Sequence, residues 1–201
     1  EQHSLSRRQR QMCIRDRLPT DIGEFTVHAF TDEVEKKDHL AICMGDLLTN
    51  DPVLSRIHSQ CITGESFFSM RCDCRFQLTE SLKQIANVGR GVVFYLQQEG
   101  RGIGLSNKIK AYSLQDKGLD TVEANHQLGF KEDERTYETV SEMIKFLAIK
   151  KIDLMTNNPK KIKALKDMGV EVNQRIPLSS DTNKYNEKYI STKINKLGHL
   201  I

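Results

Sequence analysis

Long apolar runs are missing from this sequence. No stretch of its 201 residues approaches the roughly 20 apolar residues that a membrane-spanning helix needs. The basic residues near the start, Arg7, Arg8 and Arg10, are not followed by an apolar segment, so the pattern of a secretory signal is missing too. We therefore expect a cytoplasmic protein that does not bind a membrane.

A large excess of charge of one sign is missing as well. The chain carries 30 Lys and Arg against 27 Asp and Glu, a formal net charge of +3. Nonspecific nucleic-acid binding is not expected at so small an excess, although a local basic pocket for a small anionic ligand is compatible with it. With 38% hydrophobic and 28% charged residues, the composition is that of an ordinary globular protein, and the length suits a single domain.

Cysteine is scarce, but its pattern is informative. Five cysteines occur, at positions 13, 43, 61, 72 and 74. In a cytoplasmic protein an odd set of this kind indicates metal binding or catalysis rather than disulfides. Cys43 stands in an apolar segment, and we interpret it as a core residue.

The first 17 residues differ in composition from the rest. They are polar and rich in Arg, and we expect residues 1–17 to be a disordered or non-native arm that takes no part in the chemistry. Residues 18–201 then form one domain. Apolar patterns predict strands at 25–30, 40–44, 53–58, 92–96 and 152–155, and helices at 76–88, 105–117, 137–147, 159–168 and 188–196. Alternating strands and helices favour the α/β class, with a mixed β-sheet covered by helices on both faces.

The strongest chemical signal is a group of three cysteines. Cys61, Cys72 and Cys74 fall within 14 residues and include a C-x-C pair. Thiolates suit zinc, and the short spacing lets the three side chains converge on one ion. A structural zinc site usually has four protein ligands, whereas three ligands leave a position for water, as in catalytic sites. Two other interpretations stay open: His58 completes a closed structural site, or the cysteines are merely buried.

Two further segments have features of phosphate sites. The turn at 100–104 joins a predicted strand to a helix and exposes backbone N–H groups, but its G-x-G-x-G spacing is not the dinucleotide fingerprint. A tight packing turn is the simpler interpretation, although Glu99 and Arg101 beside it could bind a polar ligand. Residues 156–161 gather a hydroxyl, two amides and two lysines at a helix start, which suits phosphate or a plain N-cap. The charged run at 133–135 by itself indicates only helix capping.

Five blocks of residues occur in order along the chain. They are Arg56-Ile57-His58-Ser59-Gln60-Cys61, Ser69-Met70-Arg71-Cys72-Asp73-Cys74, Gln98-Glu99-Gly100-Arg101-Gly102-Ile103-Gly104-Leu105, Glu123-Ala124-Asn125-His126-Gln127-Leu128-Gly129-Phe130 and Thr156-Asn157-Asn158-Pro159-Lys160. Together they closely resemble the GTP cyclohydrolase II family. The resemblance runs from about Leu18 to Leu200, which is nearly the whole chain.

The resemblance implies zinc-dependent hydrolysis of GTP to a phosphoribosylamino-diaminopyrimidinone, with release of formate and pyrophosphate, as the first step of riboflavin biosynthesis. It implies one zinc ion per chain, bound by Cys61, Cys72 and Cys74, magnesium with the triphosphate, and a homodimer. It also implies GTP contacts by Arg56, Ile57, His58, Ser59, Gln60, Gln77, Glu99, Gly100, Arg101, Thr121, Thr156 and Lys161.

Three positions match catalytic residues of the family. Asp133 matches the general base, Arg135 the nucleophile toward the α-phosphate, and Tyr112 a catalytic tyrosine. Because a guanidinium stays protonated, arginine is an unusual nucleophile. Two roles for Arg135 therefore stay open: attack on phosphorus, and stabilisation of the phosphoryl group.

Two other functions stay open beside this one. They are a cyclohydrolase that stops at a formamidopyrimidine intermediate and a non-catalytic, zinc-stabilised GTP-binding module. Tyr112 argues against the first, and its presence together with Asp133 and Arg135 argues against the second. The sequence departs from the family pattern in having Gln60 for the usual Glu, Arg75 for a common Gly and Gln97 for a common basic residue. These departures bear on substrate binding and not on the zinc site.

Overall fold

The computed structural model describes residues 13–200, and side chains from Ile14 onward. Within this range seven strands form one sheet in the order β1-β2-β3-β5-β4-β6-β7. The strands are β1 (Cys13–Pro19), β2 (Glu24–Asp32), β3 (Lys37–Met44), β4 (Val53–Ser59), β5 (Gly91–Leu96), β6 (Lys151–Met155) and β7 (Glu171–Ile176). Pairing is antiparallel from β1 through β3 to β5, and parallel from β5 through β4 and β6 to β7.

Seven α-helices lie in the same range. They are α1 (Ile62–Glu65), α2 (Cys74–Val88), α3 (Leu105–Asp116), α4 (Thr121–Gln127), α5 (Glu138–Phe146), α6 (Pro159–Asp167) and α7 (Glu187–Asn195). A 3-10 turn, Glu99–Gly102, precedes α3. None of these helices has the length and apolar character that a membrane span requires.

The sheet buries apolar side chains on both of its faces. On one face Phe94 of β5 belongs to a cluster with Met143 of α5 and Leu165 of α6. On the other face its neighbour Val93 clusters with Ile85 of α2. Successive residues of a strand point to opposite faces, so each face needs its own cover of helices. The prediction of a mixed sheet with helices on both faces is confirmed.

Every strand and helix predicted from the sequence occurs, with ends shifted by a few residues. Cys43 lies in the core, as predicted. The elements β1, β7, α1 and α4 were not predicted. The strand β7 lies at the sheet edge with few buried side chains, and α1 is only four residues long. Helix α4 carries a sequence signal, since Asp120 and Glu123 form a capping box at its start.

Strand β1 begins before the predicted start of the domain. The sequence predicts an arm at residues 1–17, whereas the structure pairs residues 13–17 with β2. The side chains from Ile14 to Pro19 are all exposed, so this edge strand is held by its backbone pairing and by the Arg17–Glu24 ion pair, and it shows no apolar pattern. Residues 1–12 lie outside the described residues, and the arm's lack of a role stays a prediction.

A chain that starts at Leu18 is expected to keep the fold, because the described side chains of β1 are not buried in the core. Thermal unfolding followed by circular dichroism should show one cooperative transition, with a midpoint lowered by no more than about 10 °C relative to the full chain. Loss of the cooperative transition would contradict this expectation.

Candidate active site at the carboxyl ends of the parallel strands

The predicted site residues converge where three parallel strands end. Strand β4 pairs in parallel with both β5 and β6, so the carboxyl ends of the three strands meet at one edge of the sheet. Gln60 follows β4, Glu99 follows β5 and Thr156 follows β6, and all three line one cavity. Open α/β sheets commonly bind their ligands at this place.

Three thiols meet in this cavity. Cys61 directly precedes α1, Cys74 begins α2, and Cys72 lies in the loop between these helices. Their sulfur atoms lie within 4.8 Å of one another, and the Sγ atoms of Cys61 and Cys72 are 3.6 Å apart. All three are free thiols. The group is therefore arranged as a set of ligands for a single ion.

The surroundings of the thiols fit a soft metal ion. A Cβ atom at Gly64 would lie 2.8 Å from Sγ of Cys72 and 3.2 Å from Sγ of Cys61, so glycine leaves room that the sulfur atoms occupy. Nε2 of His58 lies 2.8 Å from Oε1 of Glu65. Among the described residues, neither a histidine nor a carboxylate joins the three thiols as a further ligand. The structure thus supplies three ligands, and His58 does not close the site.

The thiols favour a single negative charge among themselves. Hydrogen bonds from its neighbours, first Cys72, lower the pKa of Cys61. The hydrogen bond to Cys61 and burial raise the pKa of Cys72 to about 11. Since further thiolates would repel the first, a divalent cation is the natural partner that lets all three ionise.

Lys108 links the thiols to Glu99. Its Nζ donates to Sγ of Cys61 at 3.0 Å and to Oε1 of Glu99 at 2.7 Å. Oε2 of Glu99 accepts the backbone N–H of Ile62 at 2.7 Å. Burial would lower the pKa of Lys108, but the charge of Cys61 and the bond to Glu99 raise it. The amine therefore stays cationic and orients both Cys61 and Glu99.

Cationic side chains outnumber carboxylates in the cavity. Six line it, Arg56, Arg101, Lys108, Arg135, Lys161 and Lys193, against one carboxylate of the described range, Glu99. Nε of Arg56 and Nη1 of Arg101 are buried and lack a hydrogen-bond partner among the described residues. Buried cations with spare donors suit an anionic ligand, because such a ligand satisfies both the charge and the donors.

The repulsion among these cations is evident at Lys161. Its Nζ donates to the carbonyl oxygen of Ile57 at 2.8 Å, a neutral partner. Burial, followed by the charges of Arg56 and Arg135, lowers the pKa of Lys161 well below its ordinary value. A bound anion would remove this strain and restore the charged amine.

Arg135 and Asp133 form a bidentate ion pair. Nε of Arg135 donates to Oδ1 of Asp133 at 2.8 Å, and Nη2 donates to Oδ2 at 2.6 Å. Burial would raise the pKa of Asp133, but Arg135 holds it below its ordinary value. Burial would lower the pKa of Arg135, but Tyr137 and Asp133 raise it. The carboxylate thus stays ionised, and the guanidinium stays protonated where it faces the cavity and Ser59.

Tyr112 lies one helical turn after Lys108 on α3. Its hydroxyl is 3.4 Å from Oγ1 of Thr63, and its ring centre is 5.8 Å from Nζ of Lys108. Burial raises the pKa of the phenol, so Tyr112 keeps its proton at neutral pH. The side chain lines the cavity with the three cysteines and can donate a proton there.

The glycine-rich turn packs against the segment that holds Arg135. A Cβ atom at Gly102, where φ is +96°, would lie 3.0 Å from Cβ of Glu134. The backbone N–H of Glu134 donates to the carbonyl oxygen of Arg101 at 3.0 Å. Arg101 itself has a φ of 62°, which is unfavourable for a side chain with a Cβ and is typical of functional sites. The turn therefore serves packing and also directs Arg101 to the cavity.

Comparison with known proteins gives a consistent result. The sequence profile of the GTP cyclohydrolase II family matches residues 10–177. This chain belongs to the GTP cyclohydrolase II family. It is 54% identical over 185 residues to GTP cyclohydrolase-2 of Shewanella amazonensis, covering 92% of this chain and 90% of that protein. It is 55% identical to GTP cyclohydrolase-2 of Pseudomonas paraeruginosa, with the same coverage.

A solved structure supports the fold alone. It is RibBX, a two-domain 3,4-dihydroxy-2-butanone 4-phosphate synthase from A. baumannii, at a TM-score of 0.50 and 16% identity. The match covers 85% of this chain but 40% of that protein. At this identity the likeness carries no information on activity.

The cavity brings together most residues that the family resemblance implied. All of them line it except Ile57 and Asp133. The side chain of Ile57 points into the core, because it alternates along β4 with Arg56 and His58, and only its carbonyl reaches Lys161. Asp133 reaches the cavity through Arg135. Of the three departures from the family pattern, Gln60 lines the cavity, whereas Arg75 and Gln97 do not.

Several cavity residues were not predicted. Apart from Asn157 and Asn158, which lie in the predicted phosphate segment 156–161, they are Gln98, Ile103, Lys108, Ala111, Gln115, Asn125, Tyr189, Lys193 and His199. A signal existed for Lys108, which stands four residues before Tyr112 and so shares its helix face. The last three lie far along the chain from every other site residue, and no local pattern connects them to the site.

Replacement of Cys72 by Ser is expected to abolish tight zinc binding, because two thiolates remain where three are arranged as ligands. Metal analysis after dialysis should find about one zinc ion per chain for the unchanged protein. Cys43→Ala, a change of a core cysteine, is the control and should retain the metal. Zinc retained by Cys72→Ser at the unchanged affinity would contradict the assignment.

Proposed function

We propose that this chain hydrolyses GTP with release of formate and pyrophosphate, as the first step of riboflavin biosynthesis. The observation that carries the proposal is the meeting of two unlike features in one cavity, the three thiols and the excess of buried cations. A metal site suits hydrolysis at a carbon centre, and a cationic pocket suits a phosphate chain. The relatives named GTP cyclohydrolase-2 support this reading, since they match along nearly their whole length.

Cys61, Cys72 and Cys74 would hold the zinc ion, one per chain. When bound, zinc lowers the pKa of a coordinated water from about 15.7 to about 7, which makes a nucleophile available at neutral pH. Lys108 holds the sulfur of Cys61 and the carboxylate of Glu99 in fixed positions beside this group. The carboxylate of Glu99, held in this way, would accept a guanine N–H group.

The phosphate chain would lie against Arg56, Arg101, Arg135 and Lys161. Release of the ring carbon as formate breaks two C–N bonds and consumes two waters, and cleavage at the α-phosphorus consumes a third as pyrophosphate leaves. The ion pair with Asp133 keeps Arg135 protonated and fixed. We therefore assign Arg135 to electrostatic stabilisation of the phosphoryl group rather than to attack on phosphorus. Asp133 orients Arg135, in place of the general-base role that the resemblance implied.

Tyr112 would act at the guanine ring of the substrate. Its protonated hydroxyl lies among the residues that line the thiol side of the cavity, so it can donate a proton to a ring nitrogen as a C–N bond breaks. A chain that only bound GTP would not need a proton donor at the guanine ring. The binding-module alternative therefore has less support than the enzyme.

The products decide between the alternatives. The zinc-loaded protein incubated with GTP and magnesium should release formate and pyrophosphate in equal amounts, and mass spectrometry should find the deformylated pyrimidine. A formamidopyrimidine as the end product would support the intermediate-stopping enzyme. Binding of GTP without either product would support the binding module, and both outcomes contradict the proposal.

Two variants should affect the reactions at the two ends of the substrate, the phosphate chain and the guanine ring, separately. Arg135→Ala is expected to slow pyrophosphate release by about 100- to 1,000-fold, as for loss of one preorganised donor to a developing charge. Formate release should persist if the ring opens independently of pyrophosphate loss. Tyr112→Phe should slow formate release and leave GTP affinity unchanged, because it removes only a proton donor.

Separate assays of formate and pyrophosphate test this, with Arg90→Ala as the control. Arg90 is an arginine outside the cavity that pairs with Asp51. Unchanged release of both products by Arg135→Ala and Tyr112→Phe would contradict the assigned roles.

Other expectations from the sequence and from the resemblance remain proposals. They are magnesium bound with the triphosphate, a homodimer, a cytoplasmic location and no nucleic-acid partner.

A further inference from the structure

The C-terminal segment, residues 186–200, contributes a wall to the cavity. It comprises α7 and the residues after it, and it lies beyond residue 177, where the match to the family profile ends. Nevertheless Tyr189, Lys193 and His199 all line the cavity. We propose that this segment closes the substrate pocket and that His199 binds an oxygen of the substrate's phosphate chain. The inference rests on the proposed function, because that function supplies the phosphate chain.

A buried ion pair joins the C-terminal segment to the thiol group. Nζ of Lys193 donates to Oδ1 of Asp73 at 2.6 Å, and both side chains are almost fully buried. Asp73 is the residue between Cys72 and Cys74, and its Oδ2 accepts from Gln77 at 2.6 Å. A buried pair of this kind is costly to break, since either partner alone would be an unpaired buried charge. Helix α7 is therefore fixed next to the metal-ligating loop.

The far end of the segment is fastened to the cavity rim as well. Lys196 pairs with Asp120 and Glu123 at the start of α4. The backbone N–H of Leu200 donates to the carbonyl oxygen of Asn157, the residue after Thr156, at 2.8 Å. These contacts hold the chain on both sides of His199. The position of His199 is thus set by the fold rather than by its own side-chain contacts.

The backbone turns directly before His199. Gly198 has a φ of +67°, a conformation that glycine adopts readily, and it lets the chain reverse after α7. The backbone N–H of His199 donates to the carbonyl oxygen of Lys193 at 3.0 Å. The reversal presents the imidazole to the cavity.

His199 has an unsatisfied nitrogen in a cationic environment. Its Nδ1 is buried without a hydrogen-bond partner among the described residues. Burial first, then the charges of Lys193, Arg101, Lys161 and Arg135, lower the pKa of His199 to about 3. The last three are among the cations that we assign to the phosphate chain. An N–H at Nδ1 can donate to a phosphate oxygen, and a bound anion would offset the surrounding positive charge.

The test compares affinity for a non-hydrolysable GTP analogue with affinity for guanosine, both measured calorimetrically on the zinc-loaded chain. His199→Ala should bind the triphosphate analogue about 10- to 100-fold more weakly, the effect of one hydrogen bond to a charged group. Its affinity for guanosine should not change. His199→Asn, whose amide nitrogen can occupy the place of Nδ1, should retain most of the triphosphate affinity, whereas His199→Gln should not. His126→Ala, a change of an exposed histidine on α4, is the matched control.

Two results would overturn the inference. One is unchanged affinity of His199→Ala for the triphosphate analogue, and the other is an equal loss for guanosine and the analogue. If His199→Ala fails to fold, the affinities of His199→Asn and His199→Gln for the triphosphate analogue decide. A higher affinity of His199→Asn supports the contact, and equal affinities of the two variants contradict it. Failure of the unchanged chain to convert GTP would instead overturn the proposed function, so the two failures are distinguishable.

Discussion

An excess of buried positive charge in one cavity is the constraint on which the arrangement of this site depends. Arg56, Lys161 and Lys193 are almost fully buried, and burial of a charge is unfavourable unless a partner offsets it. The protein offsets part of it internally, through Asp133 at Arg135, Asp73 at Lys193 and Glu99 at Lys108. The remainder is unpaired in the described structure. An anionic substrate that satisfies these cations gains binding energy that the protein alone does not realise.

The parallel half of the sheet explains why the metal ligands and the cations share one cavity. The strands β4, β5 and β6 end at the same edge, and site residues follow each of them within a few positions. Lys108 then joins the two groups, since it contacts both Cys61 and Glu99. The site is therefore built on rigid strand ends and helix starts, which limits the movement of its side chains.

Much of the site could be predicted from the sequence because its residues lie in short blocks beside strand ends. The three cysteines and the segment at 156–161 carry recognisable chemistry and spacing. Spacing could not show that Ile57 points into the core or that Asp133 pairs with Arg135, because both depend on the three-dimensional path of the chain. His199 could not be predicted as a site residue for the same reason, since its neighbours in the site are distant in sequence. Strand β1 escaped prediction because its described side chains are exposed and leave no apolar pattern.

The central claim is that the thiols and the cations form one binding site. Its most direct test is whether a ligand bound at the cations changes the surroundings of a metal ion held by the thiols. Cobalt substituted for zinc gives thiolate charge-transfer absorption that reports on the metal's surroundings. Addition of a non-hydrolysable GTP analogue should change this spectrum, and inorganic triphosphate should compete with the analogue. An unchanged spectrum at saturating analogue would contradict the claim that the thiols and the cations together form one GTP site.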